Sequence, residues 1–355
     1  MTSAPGSPDG AAPAASPGTE AKDGNGGRFR APHRREPGGP RVREKVVVTA
    51  YRAGSWTLGR LPFGPTVRVG GWISDFVYRA WPEKRRYVRA NAARILGLPP
   101  EDRRVDELGR AVFRNQVRWV IEGMHLVRMS REEHLALFDG PADGLRAAWQ
   151  ASNGLILAGL HIGNSEAAAA GFAGLGLKVH ALADDTAYDE LFERFAAQRR
   201  AWGLEVIRWR NLRDVYRVLR GREILGLLVD WGYRPDGQPV RFLGSWTTLP
   251  AGPAVLAART GATILPFWAL RRVDGTYLGE IGDPIVVSST EPAEIARATQ
   301  ALADALAVPA RAAPDQWCVF KPMWPEDPVE EAGLAARAEA VFRAQGTTVP
   351  TGTAG

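Results

Sequence analysis

The apolar positions along the chain change their period twice. Up to residue 44 large apolar residues are almost absent, and Pro, Gly, Ala and Ser dominate. Such a stretch buries too little surface to offset its own ordering, so residues 1–44 are expected to be disordered. From Val46 to about Arg128 the spacing is helical. In "GWISDFVYRAWPEKRRYVRANAARILG", Trp72, Ile73, Phe76, Val77, Ala80 and Trp81 fall on one face. Ser74, Asp75, Tyr78 and Arg79 fall opposite, and the basic cluster Lys84–Arg86 comes next. Two readings of that stripe stand: a face turned into the core, or a Trp-rich, Arg-flanked face laid on a bilayer interface.

From Gly154 onward, short all-apolar runs alternate with helical stretches. "GLILAGL", "KVHALA", "LEVIRW", "ILGLLVD" and "ATILPFWAL" are the runs. Between them lie an alanine-rich helix and helices expected at Tyr188 to Trp202, around Arg213 to Arg220, and at Gly252 to Thr260. Runs apolar on both faces predict an α/β fold with a largely parallel sheet covered by helices on both sides. A tail from residue 346 resembles the first 44. The expected organisation is a single domain over residues 45–345, helical over 45–150 and with its α/β core over 151–325. Loops at the carboxyl ends of parallel strands hold ligands, and His161 and Asp230 both fall there.

Composition narrows the picture modestly. The 355 residues include one cysteine, Cys318, which excludes a disulfide framework and points to a reducing compartment. A net charge of +6 suits an anionic surface or a phosphate-bearing ligand without selecting either. Lysine occurs only at Lys22, Lys45, Lys84, Lys178 and Lys321; the remaining basic residues are arginine. The longest candidate membrane span, Ala251 to Leu270, contains Arg259 and Pro266, and the N-terminus lacks the apolar core of a signal peptide. The protein is therefore expected in the cytoplasm, touching any membrane from its surface.

The candidate chemistry centres on "LILAGLHIGNSEAAAAG", a strand, a loop of small residues and a helix. His161 comes just after the strand and Glu166 stands at the helix start. With 39 acids in 355 residues, five histidines give about half a chance match to a His-x4-acid spacing. The chain has three: His134 with Asp139, His161 with Glu166, and His180 with Asp185. His134 lies in a charged stretch with no strand before it, and His180 lies inside a strand. Only His161 leaves a buried strand into a turn. A carboxylate at a helix start is also favoured by the helix dipole, so Glu166 reads equally as a capping acid. A rival reading is a dinucleotide site, since strand, helix, strand and then Asp184-Asp185 is the order of a Rossmann unit. It lacks the glycines: counting from Gly159, His161 and Asn164 occupy the second and third positions. No nucleophile elbow, P-loop or metal-spaced His/Cys cluster occurs.

"GLHIGNSEAAAAG" resembles the H-x4-D/E block of the lysophospholipid acyltransferase superfamily, within the branch of lipid A late acyltransferases and phosphatidylinositol mannoside acyltransferases. "ELFERFAAQRRAWGLEVIRW", with Arg199 or Arg200 ahead of Gly203, is similar to the next block of that branch. So is "LGLLVDWGYRPDGQPVRFLGSWTTLPAGPAVLAARTGATILPFWALRR" to the one after it, and "PDQWCVFKPMWP" to its C-terminal signature through Pro314, Gln316, Trp317 and Trp324. The resemblance runs from about Val46 to Pro325. It departs at Gln238 to Arg241, where acidic residues are common in the branch, and at Ser165, where an aromatic is common.

The resemblance implies a membrane-associated acyltransferase that moves a fatty acyl group from a thioester to a hydroxyl of a glycolipid or phospholipid. His161 would be the general base and Glu166 would hold and stabilise its ring. Backbone N–H groups near Gly163 and Asn164 would receive the oxyanion. The candidate substrate-binding set is Asn164, Arg199, Arg200, Asp230, Arg234 and Arg241, with Arg208 beside them. Acyl-CoA or acyl carrier protein is the expected donor, with no resident cofactor or metal and no nucleic-acid partner. The expected location is the cytoplasmic face of the plasma membrane. An NAD(P)-dependent oxidoreductase and a non-catalytic peripheral membrane protein remain as alternatives.

Overall fold

In a computed structural model of the protein, the described residues are 42–174, 176–183, 189–209 and 211–344. All but residues 42–44 of the first expected disordered tail and all of the second lie outside them, as do Asp184 and Asp185. The N-terminal part is helical: α1 (Val42–Leu58), α2 (Phe63–Ala80), α3 (Pro82–Leu96), α4 (Arg103–Leu126) and α5 (Arg131–Leu137). Helix α1 begins three residues inside the stretch expected to lack structure. Pro62 and Pro82 punctuate the series: both sit at helix starts, where a missing N–H costs no hydrogen bond. Asp102 caps α4 through the Arg104 N–H, and Ser130 with Glu133 forms a capping box on α5.

The α/β core comes next, with β1 (Phe138–Asp139), α6 (Ala142–Gln150), β2 (Leu155–Gly159), α7 (Ser165–Gly174), β3 (Val179–Ala183), α8 (Asp189–Ala201), β4 (Leu204–Arg208), α9 (Leu212–Arg220) and β5 (Ile224–Leu228). A hairpin of β6 (Gln238–Phe242) and β7 (Ser245–Leu249) precedes α10 (Gly252–Thr260), β8 (Thr263–Arg271), β9 (Tyr277–Ile281), α11 (Pro292–Ala312) and α12 (Pro328–Ala344). The seven-stranded sheet runs β1-β9-β8-β2-β5-β3-β4. Strands β8, β2, β5, β3 and β4 are parallel, as their all-apolar sequences predict, and β9 joins β8 antiparallel.

Alternation along β2 sends its side chains to two cores. Ile156 and Ala158 pack under α9, α10 and α11 with Val215, Val218, Ala254 and Leu302. Leu155 and Leu157 pack on the other face with Leu145, Ala167 and Phe172 from α6 and α7. With apolar cover on both sides, β2 is a rigid central strand, and it anchors the loop that leaves its carboxyl end.

Helix α2 turns the opposite way from the first of the two readings of its stripe. Its buried residues are Thr66, Gly70, Ser74 and Tyr78. Trp72, Ile73 and Phe76 stay 75%, 54% and 69% exposed, and Trp81 is exposed beyond them. The physical reason is the close approach of α4. A Cβ on Gly70 would lie 2.8 Å from the Ile121 side chain, so only a small residue fits. Tyr78 completes the contact, donating to Asp106 at 2.7 Å with its ring edge-on to Phe113. The aromatic stripe is therefore not core.

Candidate active site

Gly159, the last residue of β2, pairs with Leu228, the last of β5. Two residues beyond each stand His161 and Asp230, so the strand register brings them side by side. His161 Nδ1 lies 2.7 Å from Asp230 Oδ1, and the His161 backbone N–H donates to Oδ2 at 2.8 Å. The Trp317 indole N–H donates to the same Oδ2, also at 2.8 Å. An ionised carboxylate only accepts, so Nδ1 carries the proton and Nε2 keeps its lone pair. Burial works to raise the Asp230 carboxyl, but the imidazole and these donors outweigh it and hold the group below its usual range. For His161 burial works downward, and the Asp230 carboxylate more than offsets it, so the imidazole titrates above its ordinary value. The His161 side chain is 41% exposed while that of Asp230 is sealed. A histidine open on one side and fixed by a buried acid on the other is equipped to take a proton from a bound hydroxyl.

The loop carrying His161 is clamped from two sides. Gly163 N–H donates to the Gln316 carbonyl at 3.0 Å, Asn164 N–H to the Ala269 carbonyl at 3.3 Å, and Cys318 N–H to the His161 carbonyl at 2.8 Å. Gly163 sits at φ +61°, and a Cβ there would stand 1.7 Å from the Ala269 oxygen, so no other residue fits. Beneath the loop lies a buried polar network. Asn164 caps α7, its Oδ1 accepting from the Glu166 and Ala167 N–H groups. Its Nδ2 donates to Glu122 at 3.0 Å and Tyr277 at 3.3 Å. Arg271 pairs with Glu122 at 2.6 Å, donates to Asn115 at 2.7 Å, and exchanges two hydrogen bonds with the Gln316 amide. Burial and the Glu122 carboxylate push the Tyr277 phenol upward, which keeps it protonated.

Residues 40–326 match the family model of bacterial lipid A biosynthesis acyltransferases. The chain belongs to that family. It is similar to the phosphatidylinositol mannoside acyltransferase of Mycolicibacterium smegmatis, 29% identical over 300 residues, covering 77% of this chain and 96% of the relative. The enzyme of the same name from Mycobacterium tuberculosis is 30% identical over 287 residues, 78% of this chain and 88% of the relative. The protein is thus an O-acyltransferase, and the oxidoreductase alternative falls. The geometry agrees: the loop N–H groups a dinucleotide would need are taken by Gln316, Ala269 and the Asn164 side chain.

Within this acyltransferase several sequence expectations need correction. Asp230, not Glu166, orients the His161 ring. Glu166 forms a two-pronged pair with Arg199, at 3.0 and 2.5 Å, next to the N-terminus of α7; among the described residues it makes no hydrogen bond to His161, and its charge raises the imidazole. Asn164 is fully buried and holds the loop, so its side chain does not face a substrate. The Gly163 and Asn164 N–H groups, expected to receive an oxyanion, are already bonded. The arginines are also partnered: Arg200 with Glu193, Arg208 with Glu193 and Asp189, Arg234 with Asp236. Arg241 stacks toward Trp246 in the β6–β7 hairpin, its backbone tied to Gln300. Among the described residues none of these four bonds to His161.

Cys318 is poorly suited to act as a nucleophile. Desolvation pushes its thiol up to about 12, which leaves it protonated near neutral pH. No cluster of three or more His, Cys, Asp or Glu able to hold a metal occurs among the described residues. Sequence patterning missed Trp231, edge-on to His161 at 6.1 Å between ring centres, and Lys321, whose Nζ lies 5.1 Å from the Trp231 ring. Trp231 directly succeeds Asp230 in the chain, the one signal that pointed to it.

Proposed function

We propose that the protein transfers a fatty acyl group from an acyl-CoA or acyl carrier protein thioester to a hydroxyl of a glycolipid acceptor related to phosphatidylinositol mannosides. The observation that carries this is the His161–Asp230 pair, set at the carboxyl ends of β2 and β5 in a chain that belongs to an acyltransferase family. His161 Nε2 removes the proton of the acceptor hydroxyl as its oxygen attacks the thioester carbonyl. The tetrahedral adduct collapses, the carbon–sulfur bond breaks, and the imidazolium returns the proton to the leaving thiolate. Asp230 keeps the ring in the reactive tautomer and stabilises the imidazolium between the two transfers; general-base assistance of this kind contributes about 10²–10⁴-fold. Glu166 adds negative field, and its pairing with Arg199 fixes the start of α7. No acyl-enzyme forms, in keeping with the protonated state of Cys318.

The enzyme works at the cytoplasmic face of the plasma membrane as a peripheral protein. Among the described residues no helix is long and apolar enough to cross a membrane. The exposed Trp72, Ile73, Phe76 and Trp81, flanked by Arg68 and Arg79, suit the headgroup region of an anionic bilayer instead. Incubation of the purified protein with labelled acyl-CoA and a lipid extract, with separation of the products, tests the proposal. Label in a glycolipid, lost with His161→Ala, is the expected result. Release of free fatty acid alone would contradict it.

A further inference from the structure

Lys321 stands apart from the arginines around the site. Each of Arg199, Arg200, Arg208 and Arg234 meets a carboxylate of the chain itself, whereas among the described residues no acidic side chain pairs with Lys321. It is exposed, and its ammonium rests over the Trp231 indole, the same ring that meets His161 edge-on. Its backbone is held from three directions. Asn91, itself buried, donates to the Lys321 carbonyl at 2.8 Å and accepts the Met323 N–H at 3.0 Å. Lys84 donates to the Phe320 carbonyl at 3.2 Å. Tyr233 N–H donates to the Pro322 carbonyl at 2.8 Å, and Gly232, at φ +94°, lets the two segments close, since a Cβ there would lie 3.1 Å from the Lys321 Cβ. A cation without a counter-ion, carried on fixed backbone beside a general base, is pre-organised for an anionic group that arrives with the substrate.

We propose that Lys321, seated on Trp231, is the phosphate-recognising residue of this site and receives a phosphate or phosphodiester of the substrate that enters beside His161. A compact ammonium suits a phosphate as a point charge, and cation–π contact with the indole holds it in place without neutralising it. The effect of the Lys321 charge on His161 has the same sense: it lowers the imidazole, opposing Asp230. An arriving phosphate cancels that influence. Two substrates carry the group, the acceptor glycolipid through its phosphodiester and acyl-CoA through its nucleotide. The inference rests on the acyl-transfer reading for its choice of probes, but its binding test does not.

The test measures, at low salt, the affinity of wild type, Lys321→Met and Lys321→Arg for CoA against pantetheine, and for short-chain phosphatidylinositol against the matching diacylglycerol. Wild type should prefer at least one phosphate-bearing probe over its phosphate-free counterpart. Lys321→Met should weaken that probe about tenfold, in the range of one charge-assisted contact partly screened by water, and leave the neutral counterpart unchanged. Lys321→Arg should keep most of the preference. Whichever probe suffers identifies the source of the phosphate. In turnover, Lys321→Met should raise KM for that substrate by a similar factor and change kcat less than about threefold. Unchanged affinity of Lys321→Met for both phosphate-bearing probes overturns the proposal, as does a wild type with no preference for either. A wild type that shows the preference but transfers no acyl group keeps the phosphate site and sinks the acyl-transfer reading instead.

Discussion

In the proposed mechanism His161 is only as good a base as Asp230 makes it, and two substitutions probe that dependence. Replacing His161 by Ala should abolish transfer at a moderate cost in stability, since the buried Asp230 carboxylate loses one donor but keeps the backbone N–H of residue 161 and the Trp317 indole. Asp230→Asn should lower kcat by about 10²–10⁴-fold, because a neutral amide no longer fixes the tautomer or stabilises the imidazolium. The sign of the pH effect is fixed by the raised titration of His161. The base must be neutral to act, so the wild-type rate should climb as pH rises through that elevated value. Without the Asp230 charge, burial and the Lys321 cation favour the neutral ring against the Glu166 charge alone, and the acid limb of the Asp230→Asn profile should move to lower pH. Glu166→Gln should leave the limb closer to wild type than Asp230→Asn does, since Glu166 does not touch the ring. A pH–rate profile with NMR titration of His161 checks all of this; an acid limb unmoved in Asp230→Asn would show that the carboxylate does not set the base.

The elements behind the site are held by a small set of buried contacts with measurable consequences. Glu122 on α4 faces Arg271 on β8, both almost fully buried. Glu122→Ala leaves a buried guanidinium without its counter-charge, which costs about 3–5 kcal/mol and should show in the denaturant midpoint. A loss under about 1 kcal/mol would mean that water reaches the pair. Gly163→Ala should inactivate more than it destabilises, because the clash with Ala269 displaces the loop that carries His161. Much of this framework is legible from residues alone. The all-apolar β2 and β5 announce a parallel sheet, and His161 and Asp230 just past their ends announce a site. Glu166 misleads because an i, i+5 spacing across a loop–helix boundary fixes no direction, whereas the partner of His161 is set by the non-local register of β2 on β5. The β6–β7 hairpin is hidden for a local reason: its turn places Leu243 at φ 51°, where turn chemistry favours Asn, Asp or Gly. The core reading of helix α2 fails because its largest apolar residues look like core, while close packing on α4 selects Gly70 and Ser74.

At the scale of the whole molecule, a chain of contacts links α2 to the residues around His161. Helix α2 ends at Ala80, α3 starts at Pro82, and Lys84 in the first turn of α3 reaches the Phe320 carbonyl, one residue from Lys321. Helix α4 packs on α2 with one side and through Glu122 holds the His161 loop with the other. In the membrane contact proposed above, the bilayer would meet the face of α2 turned away from α4, the helix that holds the His161 loop. Exposed apolar area of this kind on one helix face marks a contact surface, and interfacial aromatics with flanking arginines fit an anionic membrane. Lys84 and Arg86 are poor choices to test this, since they hold Phe320 and Glu326. Trp72 and Phe76 are better, because they are exposed and their loss leaves the α2–α4 contact intact. Trp72→Ala with Phe76→Ala should keep the unfolding temperature within a few degrees of wild type and weaken binding to phosphatidylglycerol-containing vesicles. Arg68→Glu with Arg79→Glu should weaken it by at least about tenfold at low salt, at about 1 kcal/mol for each basic residue near such a surface. Raising salt should shrink the effect of the arginine pair and spare that of the aromatic pair. Vesicle sedimentation across a salt series separates the two. Wild-type binding by both double variants would place the membrane contact on another face, and would leave the exposed stripe of α2 for a protein partner.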